Sequence, residues 1–425
     1  MRGEKTIFNV QPISGTSAGG RNTRRRRVGL LALVLGALLL LVTACGGSGG
    51  GSGGDTGGKG KQSAGKKVDE NTPSQAVVTV APKDGADAVA TSGALKVTAD
   101  QGKLTAVTVQ DSKGNPVAGK IATTGTSWEP LGHLPAATKF KVHAVAKDAK
   151  GRESAKDTTF TTLVPQNTFI GQYTPENGAT VGVGMPVSIR FTRGITHPEA
   201  VKNAIKVTAE PAVPVEGHWF GNDRLDFRPE KYWAAGTKVT LKLNLDGVEG
   251  RPGVYGKQIK TVKFTVGRSQ VSTVDAKTHQ MTVVRDGSVF KKIPITTGKP
   301  GYETWSGQMV ISERLEVTRM NGETVGYGGE YDIKDVPHAQ RLTDSGTFIH
   351  GNYWGGGAFG NYNASHGCVG LRDVRGGSDK NAPSAWFFDH SMVGDVVVVK
   401  NTHDKTVDPA NGLNGWNMSW SEWTK

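Results

Sequence analysis

Cysteine is almost absent from this chain. Its 425 residues include only 2 cysteines, Cys45 and Cys368. A disulfide framework therefore cannot stabilise the fold, and Cys368 has no free partner for a disulfide. No Cys-x-x-Cys pair accompanies it, which weakens a zinc-site interpretation. The chemistry of Cys368 needs another explanation.

Long apolar runs are also scarce. Arg24–Arg27 precede an apolar run from Val28 to Val42, which is followed by Thr43-Ala44-Cys45. The run is short for a bilayer span, which needs about 20 residues. Basic residues, a short apolar run and small residues before a cleavage point are typical of an export signal. The cysteine resembles that of a lipobox, which predicts lipidation at Cys45, and a single transmembrane anchor is the alternative. Both interpretations place the rest of the chain outside the cytoplasm.

Most of the chain carries little excess charge. The formal net charge is +13, but it is concentrated in residues 1–67, and the remainder is nearly balanced. Nucleic acid is therefore a poor candidate partner. The basic segment, including Lys59, Lys61, Lys66 and Lys67, favours an anionic membrane surface or wall polymer.

Helical periodicity is missing from residues 76–267. Short β-prone runs alternate with turn signals, which predicts β-sandwiches. Pro82-Lys83-Asp84-Gly85-Ala86 returns as Pro175-Glu176-Asn177-Gly178-Ala179, and Ala137-Thr138-Lys139-Phe140 returns as Gly236-Thr237-Lys238-Val239. This repetition indicates two tandem immunoglobulin-like sandwiches that act as a spacer. Neither contains cysteine, so packing alone must hold each core.

The following region is again rich in β-prone runs. Asp286-Gly287 lies between two of them and predicts a hairpin. Pro383 opens a short predicted helix, and Val396–Val399 reads as a buried strand. Beyond it, Trp416, Trp420 and Trp423 are too dense to be left exposed, which predicts docking onto a neighbouring surface. An aromatic sugar-binding platform is the alternative.

Cys368 lies within Ser365-His366-Gly367-Cys368, downstream of His350. A thiol has a reference pKa of about 8.5, and a nearby imidazole can activate it for nucleophilic catalysis. Gly367 permits a tight turn that presents backbone N–H groups near the sulfur. An inert buried cysteine and a zinc site are the alternatives.

These motifs resemble the active-site signature of the L,D-transpeptidases with a YkuD catalytic domain, in their actinobacterial form. Thr296-Thr297-Gly298-Lys299, Ser345–Trp354 and Gly415–Trp423 extend the resemblance. It implies a mainly β fold, with two immunoglobulin-like sandwiches before a β-rich catalytic domain that has one or two short helices. The predicted segments are the signal with its lipobox (1–45), a flexible Gly/Ser/Lys linker (46–75), two sandwiches (76–165 and 166–267), the catalytic domain (268–402) and a Trp-rich tail at the domain junction (403–425).

The resemblance also implies roles for individual residues. Cys368 would be the nucleophile and His350 the base, whereas the role of His366 stays open between orientation, base and structure. Ser365 would orient an imidazole, and the Gly367 and Cys368 N–H groups would form the oxyanion hole. The predicted substrate-binding residues are Tyr331, Trp354, Asn352 and Arg372. Gly370 departs from the family, which often has Asn or Arg there.

The implied activity is the formation of 3→3 cross-links in peptidoglycan through a cysteine thioester with a tetrapeptide stem. It needs no metal or organic cofactor, and carbapenem β-lactams are the expected inhibitors. An L,D-carboxypeptidase, a protein-anchoring transferase and a non-catalytic wall-binding lipoprotein are the alternatives. The expected location is the extracytoplasmic face of the membrane or the wall, through a lipid anchor.

Overall fold

The computed structural model describes residues 72–325 and 329–425. The predicted signal, the lipidation site Cys45 and most of the predicted linker lie outside the described residues. Among the described helices, none is long and apolar enough to cross a membrane.

The first sandwich consists of two four-stranded sheets, β1-β3-β6-β5 and β2-β8-β7-β4. Alternation of polar and apolar residues builds it: in the strand Lys139–Lys147, Phe140, Val142, Ala144 and Ala146 are buried, whereas Lys139, Lys141, His143 and Lys147 are exposed. Its strands are β1 Val77–Ala81, β2 Ala86–Val89, β3 Lys96–Asp100, β4 Lys103–Asp111, β5 Gly119–Ile121, β6 Ser127–Pro130, β7 Lys139–Lys147 and β8 Glu153–Thr162.

The second sandwich has two four-stranded sheets, β10-β12-β15-β14 and β11-β19-β16-β13, and a small sheet β17-β18-β9. Its elements are β9 Asn167–Phe169, β10 Gly171–Thr174, β11 Thr180–Val181, β12 Val187–Phe191, α1 Pro198–Asn203, β13 Ile205–Glu210, β14 Glu216–Phe220, β15 Arg224–Arg228, β16 Lys238–Asn244, β17 Glu249–Arg251, β18 Val254–Gly256 and β19 Ile259–Val266.

The repeated sequence motifs form equivalent turns in the two sandwiches. The Asp84 carboxylate accepts the Thr159 N–H at 2.7 Å, and the Asn177 side-chain oxygen accepts the Lys263 N–H at 2.9 Å. Gly85 and Gly178 have positive φ angles of 75° and 82°. The same side-chain hydrogen bond and the same positive φ at glycine therefore recur in the two repeated motifs.

The third region is built on a nine-stranded sheet with the order β23-β28-β20-β21-β22-β27-β26-β25-β24. Its elements are β20 Gln270–Asp275, β21 Gln280–Arg285, β22 Ser288–Thr296, β23 Gly307–Val310, β24 Glu313–Asn321, β25 Asp332–Arg341, β26 Phe348–Asn352, β27 Val369–Arg372, α2 Pro383–His390 and β28 Val396–Lys400, followed by α3 Trp420–Trp423. Single 3₁₀ turns occupy Gly322–Val325, Gly356–Ala358, Arg375–Gly377 and Gly415–Asn417. The mainly β architecture predicted from the sequence is confirmed.

The tail after β28 lies against both the second sandwich and the nine-stranded sheet. The Trp416 indole N–H donates to the Gly184 carbonyl at 2.7 Å, and the Trp423 indole N–H donates to the Glu216 carbonyl at 2.9 Å. The Asn417 amide donates to the Gln308 carbonyl of β23 at 2.7 Å. Trp416 and Trp423 are buried.

Candidate active site

Two parallel strands in the nine-stranded sheet position Cys368 and His350. Ile349 of β26 pairs with Val369 of β27, and His350 pairs with Gly370. Ile349 and Val369 belong to the core cluster, so their neighbours in sequence point to the opposite face. Cys368, two residues before Gly370, therefore shares a face with His350.

Cys368 is a half-buried residue, and its thiol is uncharged in the resting protein. It donates to the Gly346 carbonyl at 3.7 Å. Burial raises its pKa to about 11, although a hydrogen bond from the Phe348 N–H acts in the opposite direction. A thiolate therefore does not accumulate at neutral pH.

His350 is almost fully buried, with 3% of its surface exposed. Its Nδ1 lies 2.9 Å from the Gly351 carbonyl. Because a carbonyl can only accept, Nδ1 carries the proton and Nε2 presents a lone pair. The Trp354 indole stacks on the imidazole with ring centroids 5.6 Å apart. Burial lowers the pKa of His350 below its ordinary value, which keeps the ring neutral at pH 7.

Ser365 shapes the turn that carries Cys368. Its hydroxyl donates to the Cys368 carbonyl at 2.6 Å and accepts the Gly367 N–H at 3.2 Å. The sequence suggested instead that Ser365 orients an imidazole and that the Gly367 N–H faces a substrate oxyanion. In the structure these two groups bond to each other, because the turn brings the hydroxyl back over its own backbone.

The segment Thr296–Lys299 fixes this turn from the neighbouring strand end. The Thr296 hydroxyl donates to the Tyr362 carbonyl at 2.9 Å, and the Lys299 N–H donates to the Ser365 carbonyl at 2.9 Å. A Cβ at Gly298 would lie 1.9 Å from the Tyr302 carbonyl oxygen, so only glycine fits there.

His366 contacts a cluster of charged and aromatic side chains. Lys299 Nζ lies 3.4 Å from its Nε2, and the Glu330 carboxylate lies 3.8 Å from the same atom. The Tyr302 and Tyr331 rings contact the imidazole with centroids at 4.8 and 5.4 Å. Partial burial, together with the Lys299 charge, lowers the pKa of His366. The neutral ring accepts from Lys299, so the contact with Glu330 is not an ion pair at neutral pH.

The sequence did not single out Lys299, Tyr302 and Glu330 as individual site residues. Lys299 belongs to a motif that the resemblance covered, but 67 residues separate it from His366. No local signal reports such a contact. Tyr331 lies beside His366, on the short connection that joins β24 to β25.

The remaining predicted residues lie around the same face. Asn352 is buried at the end of β26, and its side-chain oxygen accepts the Trp354 N–H at 3.0 Å. It is the register partner of Arg372, which is exposed at the end of β27. A Cβ at Gly370 would lie 3.0 Å from the Thr296 methyl group and 3.1 Å from the Asn352 amide. Neighbouring side chains thus fill the space beside Gly370.

Within the described residues, no three His, Cys, Asp or Glu side chains cluster closely enough to hold a metal ion.

The arrangement agrees with similarity to known proteins. Residues 86–249 match the family model of a bacterial Ig domain, and residues 269–399 match the L,D-transpeptidase catalytic domain. L,D-transpeptidase 2 of Mycobacterium tuberculosis strain CDC 1551 is 33% identical over 421 residues, which is 97% of this chain and 98% of the relative. L,D-transpeptidase 5 of strain H37Rv is 29% identical over 411 residues, or 94% and 84% of the two chains.

Solved structures of other L,D-transpeptidases also align with this chain. LdtMt1 in complex with imipenem aligns with a TM-score of 0.46 and 27% identity, covering 56% of this chain and all of the other. An L,D-transpeptidase from Mycobacterium smegmatis aligns with a TM-score of 0.43 and 27% identity, covering 54% of this chain and 97% of the other.

The similarity to L,D-transpeptidase 2 runs through nearly the whole of both chains, and the matched catalytic domain contains the strand pair that brings Cys368 and His350 onto one face. This protein is therefore an enzyme of the L,D-transpeptidase family, whose general activity is the formation of 3→3 cross-links in peptidoglycan.

Proposed function

We propose that Cys368 is the nucleophile of this transpeptidase and that His350 Nε2 is its base. The strand register supports this assignment, because it puts both side chains on one face of β26 and β27 with the side-chain-free Gly370 opposite His350. Cys368 is half-buried and not enclosed in the core, so a substrate can approach this residue.

Acylation begins from a neutral pair. The thiol proton moves to His350 Nε2 as the sulfur attacks the carbonyl of the donor stem. Collapse of the tetrahedral intermediate breaks the C–N bond, and the imidazolium gives its proton to the departing D-amino acid. A thioester on Cys368 remains.

Deacylation reverses the proton path. The side-chain amine of an acceptor stem attacks the thioester and loses a proton to Nε2. The C–S bond breaks, a new amide forms, and the sulfur recovers its proton from the imidazolium. The Gly351 carbonyl stabilises this imidazolium through its bond to Nδ1–H, as the orienting group does in Ser-His-Asp triads.

The oxyanion needs a donor that the fold does not already use. Ser365 engages the Gly367 N–H, and we assign the Cys368 N–H to the oxyanion. The role of Ser365 is then to hold the turn that carries this N–H, through a 2.6 Å bond to the Cys368 carbonyl. Preorganised donors of this kind contribute strongly to transition-state stabilisation.

Lys299 is the proposed contact for the donor's terminal carboxylate. The scissile bond precedes a D-amino acid, so a free carboxylate lies one residue beyond the carbonyl that Cys368 attacks. Lys299 Nζ contacts His366, two residues before Cys368. Arg372 is less suited to this contact with the carboxylate, because it is exposed at the end of β27, two residues beyond Gly370.

The nucleophile can be tested by intact-mass measurement after incubation with a carbapenem. Imipenem forms a complex with the related LdtMt1, and we expect one adduct on this protein. Cys368→Ala should form none, whereas Cys45→Ala, which removes the other cysteine, should be labelled like the native chain. Equal labelling of the native chain and Cys368→Ala would disprove the assignment.

Attachment to the membrane through lipid on Cys45 is a separate proposal. The basic residues, the short apolar run and the small residues before Cys45 support it. After detergent phase separation of an extract from cells that express the native chain, we expect the native chain in the detergent-rich phase. The Cys45→Ala variant should be found in the aqueous phase. Retention of Cys45→Ala in the detergent-rich phase would instead indicate an uncleaved anchor.

A further inference from the structure

A cleft of about 760 Å³ lies between the first and second sandwiches, and Cys368 is not among the residues that line it. Turns of the first sandwich form one wall, and α1, β13, β16 and β17 form the other. The polar and charged side chains that line it include Thr91, His133, Lys206, Lys242, Asn244 and Glu249.

Direct contacts between the sandwiches define the floor of this cleft. The Thr91 hydroxyl donates to the Gly247 carbonyl at 2.7 Å in a buried position. A Cβ at Gly247 would lie 2.2 Å from the Leu134 carbonyl oxygen. The His133 imidazole bonds to the backbone of Asp246 and Asn244. Specific bonds thus join the two sandwiches beside the cleft.

Two lysines lie side by side at its edge. Lys206 of β13 and Lys242 of β16 are direct register partners, and both are exposed. Like charges directly opposite each other destabilise a strand pair. In the described part of the chain neither ammonium group forms an ion pair. The Glu249 carboxylate accepts the Gly253 N–H at 2.8 Å and bonds to Tyr255. Glu249, the acidic residue of the cleft lining, is therefore oriented by these bonds and not by an ion pair with Lys206 or Lys242.

The same sheet face continues beyond the cleft. Lys238 and Lys242 alternate along β16 with the buried Val239 and Leu241, so the lysines share the outer face. Lys263 of β19 is also exposed, and with Lys238 it lines a second concavity of about 400 Å³. Glu210, opposite Lys238, is the acidic residue on this surface. From Lys238 to Asn244 the face extends for about 20 Å, at about 3.4 Å per residue.

We propose that this lysine face, formed by Lys206, Lys238, Lys242 and Lys263, binds the carboxylates of a peptidoglycan strand. The inference rests on the proposed function, which makes the wall the substrate. The extended row of charges suits a linear polyanion better than a compact ligand. The chain's own linker is an unsuitable occupant because it carries Lys59, Lys61, Lys66 and Lys67, which have the same sign. The sandwiches then hold the strand whose stem peptides the catalytic domain joins.

Sedimentation with purified sacculi tests this proposal in the full-length protein. The sacculi should be stripped of phosphate-containing polymers. We expect Lys206→Glu/Lys242→Glu to bind at least about tenfold more weakly at low salt, and native binding to weaken as salt rises. The matched control is Lys139→Glu/Lys141→Glu, which makes the same charge change on exposed positions of β7 and should bind like the native protein.

Competition distinguishes the sources of negative charge. Soluble peptidoglycan fragments should displace the native protein from sacculi, whereas a phosphodiester polymer or anionic phospholipid vesicles should compete less well. Native-like binding of the Lys206/Lys242 variant, equal loss in the control, or stronger competition by the phosphate ligands would each overturn the proposal.

Carbapenem adduct formation at Cys368 serves as a separate readout. The Lys206/Lys242 variant should retain it, because both lysines lie on the second sandwich. Absence of the adduct in the native chain would count against the proposed nucleophile, while the sedimentation result would still decide whether the lysine face binds the wall.

Discussion

At the scale of single residues, the Cys368 proton must leave during the attack. The thiol pKa is raised to about 11 and the His350 pKa is lowered, in both cases mainly by burial. A resting thiolate–imidazolium pair would need the opposite order of the two pKa values. The resting state is therefore thiol and neutral imidazole, as in general-base catalysis.

This order predicts the pH dependence of carbapenem acylation. The rate requires neutral His350, so it should be lost as pH falls through the lowered pKa, below about 6.5. It should stay constant between pH 7 and 9, because the thiol keeps its proton there. Rates measured by stopped-flow across pH 4–9 provide the check. A second loss of rate between pH 7 and 9 would contradict the assignment.

Trp354 controls the environment of the base. It stacks on His350, yet 43% of its own surface is exposed. Trp354→Ala should admit water to the imidazole, raise the pKa of His350 and move the acid limb of the rate profile to higher pH. Trp354→Phe keeps an aromatic cover and should leave the limb near its native position. If Trp354→Ala slows the reaction but leaves the acid limb at the same pH, Trp354 acts on the substrate and not on the pKa of His350.

Sequence motifs identified the nucleophile region because the necessary residues lie close together in the chain. Ser365, His366, Gly367 and Cys368 are contiguous, and only the pairing of β26 with β27 was needed to bring in His350. The bond between Ser365 and Gly367 was not predictable, since it depends on the φ of 112° at Gly367. The contact of Lys299 with His366 depends on long-range folding.

At the scale of elements, locally encoded features follow the sequence closely. Asp286 and Gly287 both have positive φ, 48° and 83°, as a two-residue hairpin requires. Helix α2 begins at Pro383, where proline is favoured. The order of the nine-stranded sheet could not be read in this way, because β20 pairs in parallel with β28 across more than a hundred residues of chain. Such pairing has no local signature.

Within the tail, Trp423 is more deeply buried than Trp420. The Arg228 guanidinium lies 4.3 Å from the Trp423 ring centroid and 5.5 Å from that of Trp420. Trp423 is 1% exposed, whereas Trp420 is only partly buried. Trp423→Ala should lower the free energy of unfolding by about 3–5 kcal/mol, and Trp420→Ala by no more than about 1 kcal/mol. Urea denaturation measures both. Equal losses would mean that the tail docks through its whole surface.

At the scale of the whole molecule, the two sandwiches are connected to their neighbours differently. One core cluster of the second sandwich includes Val396 of β28, so its apolar interior continues into the nine-stranded sheet. The Gly182 N–H donates to the Val393 carbonyl at 2.8 Å in the same region. The core of the first sandwich contains only its own residues, and hydrogen bonds such as that from Thr91 to Gly247 join it to the second sandwich.

This difference predicts two unfolding transitions. Residues from β9 to the tail should unfold together, because they share one apolar core and cannot lose it separately. The first sandwich should unfold in a transition of its own. Calorimetry of the native chain should resolve both transitions, and Trp423→Ala should lower the melting temperature of the larger unit only.

Shortened chains test the same division. A chain that starts at residue 166 should keep the transition of the larger unit and still form the carbapenem adduct at Cys368. A chain that starts at residue 268 should not fold, since it would expose Val396 and the docking surface of the tail. A single transition that Trp423→Ala shifts as a whole would instead show that the polar junction couples all three parts.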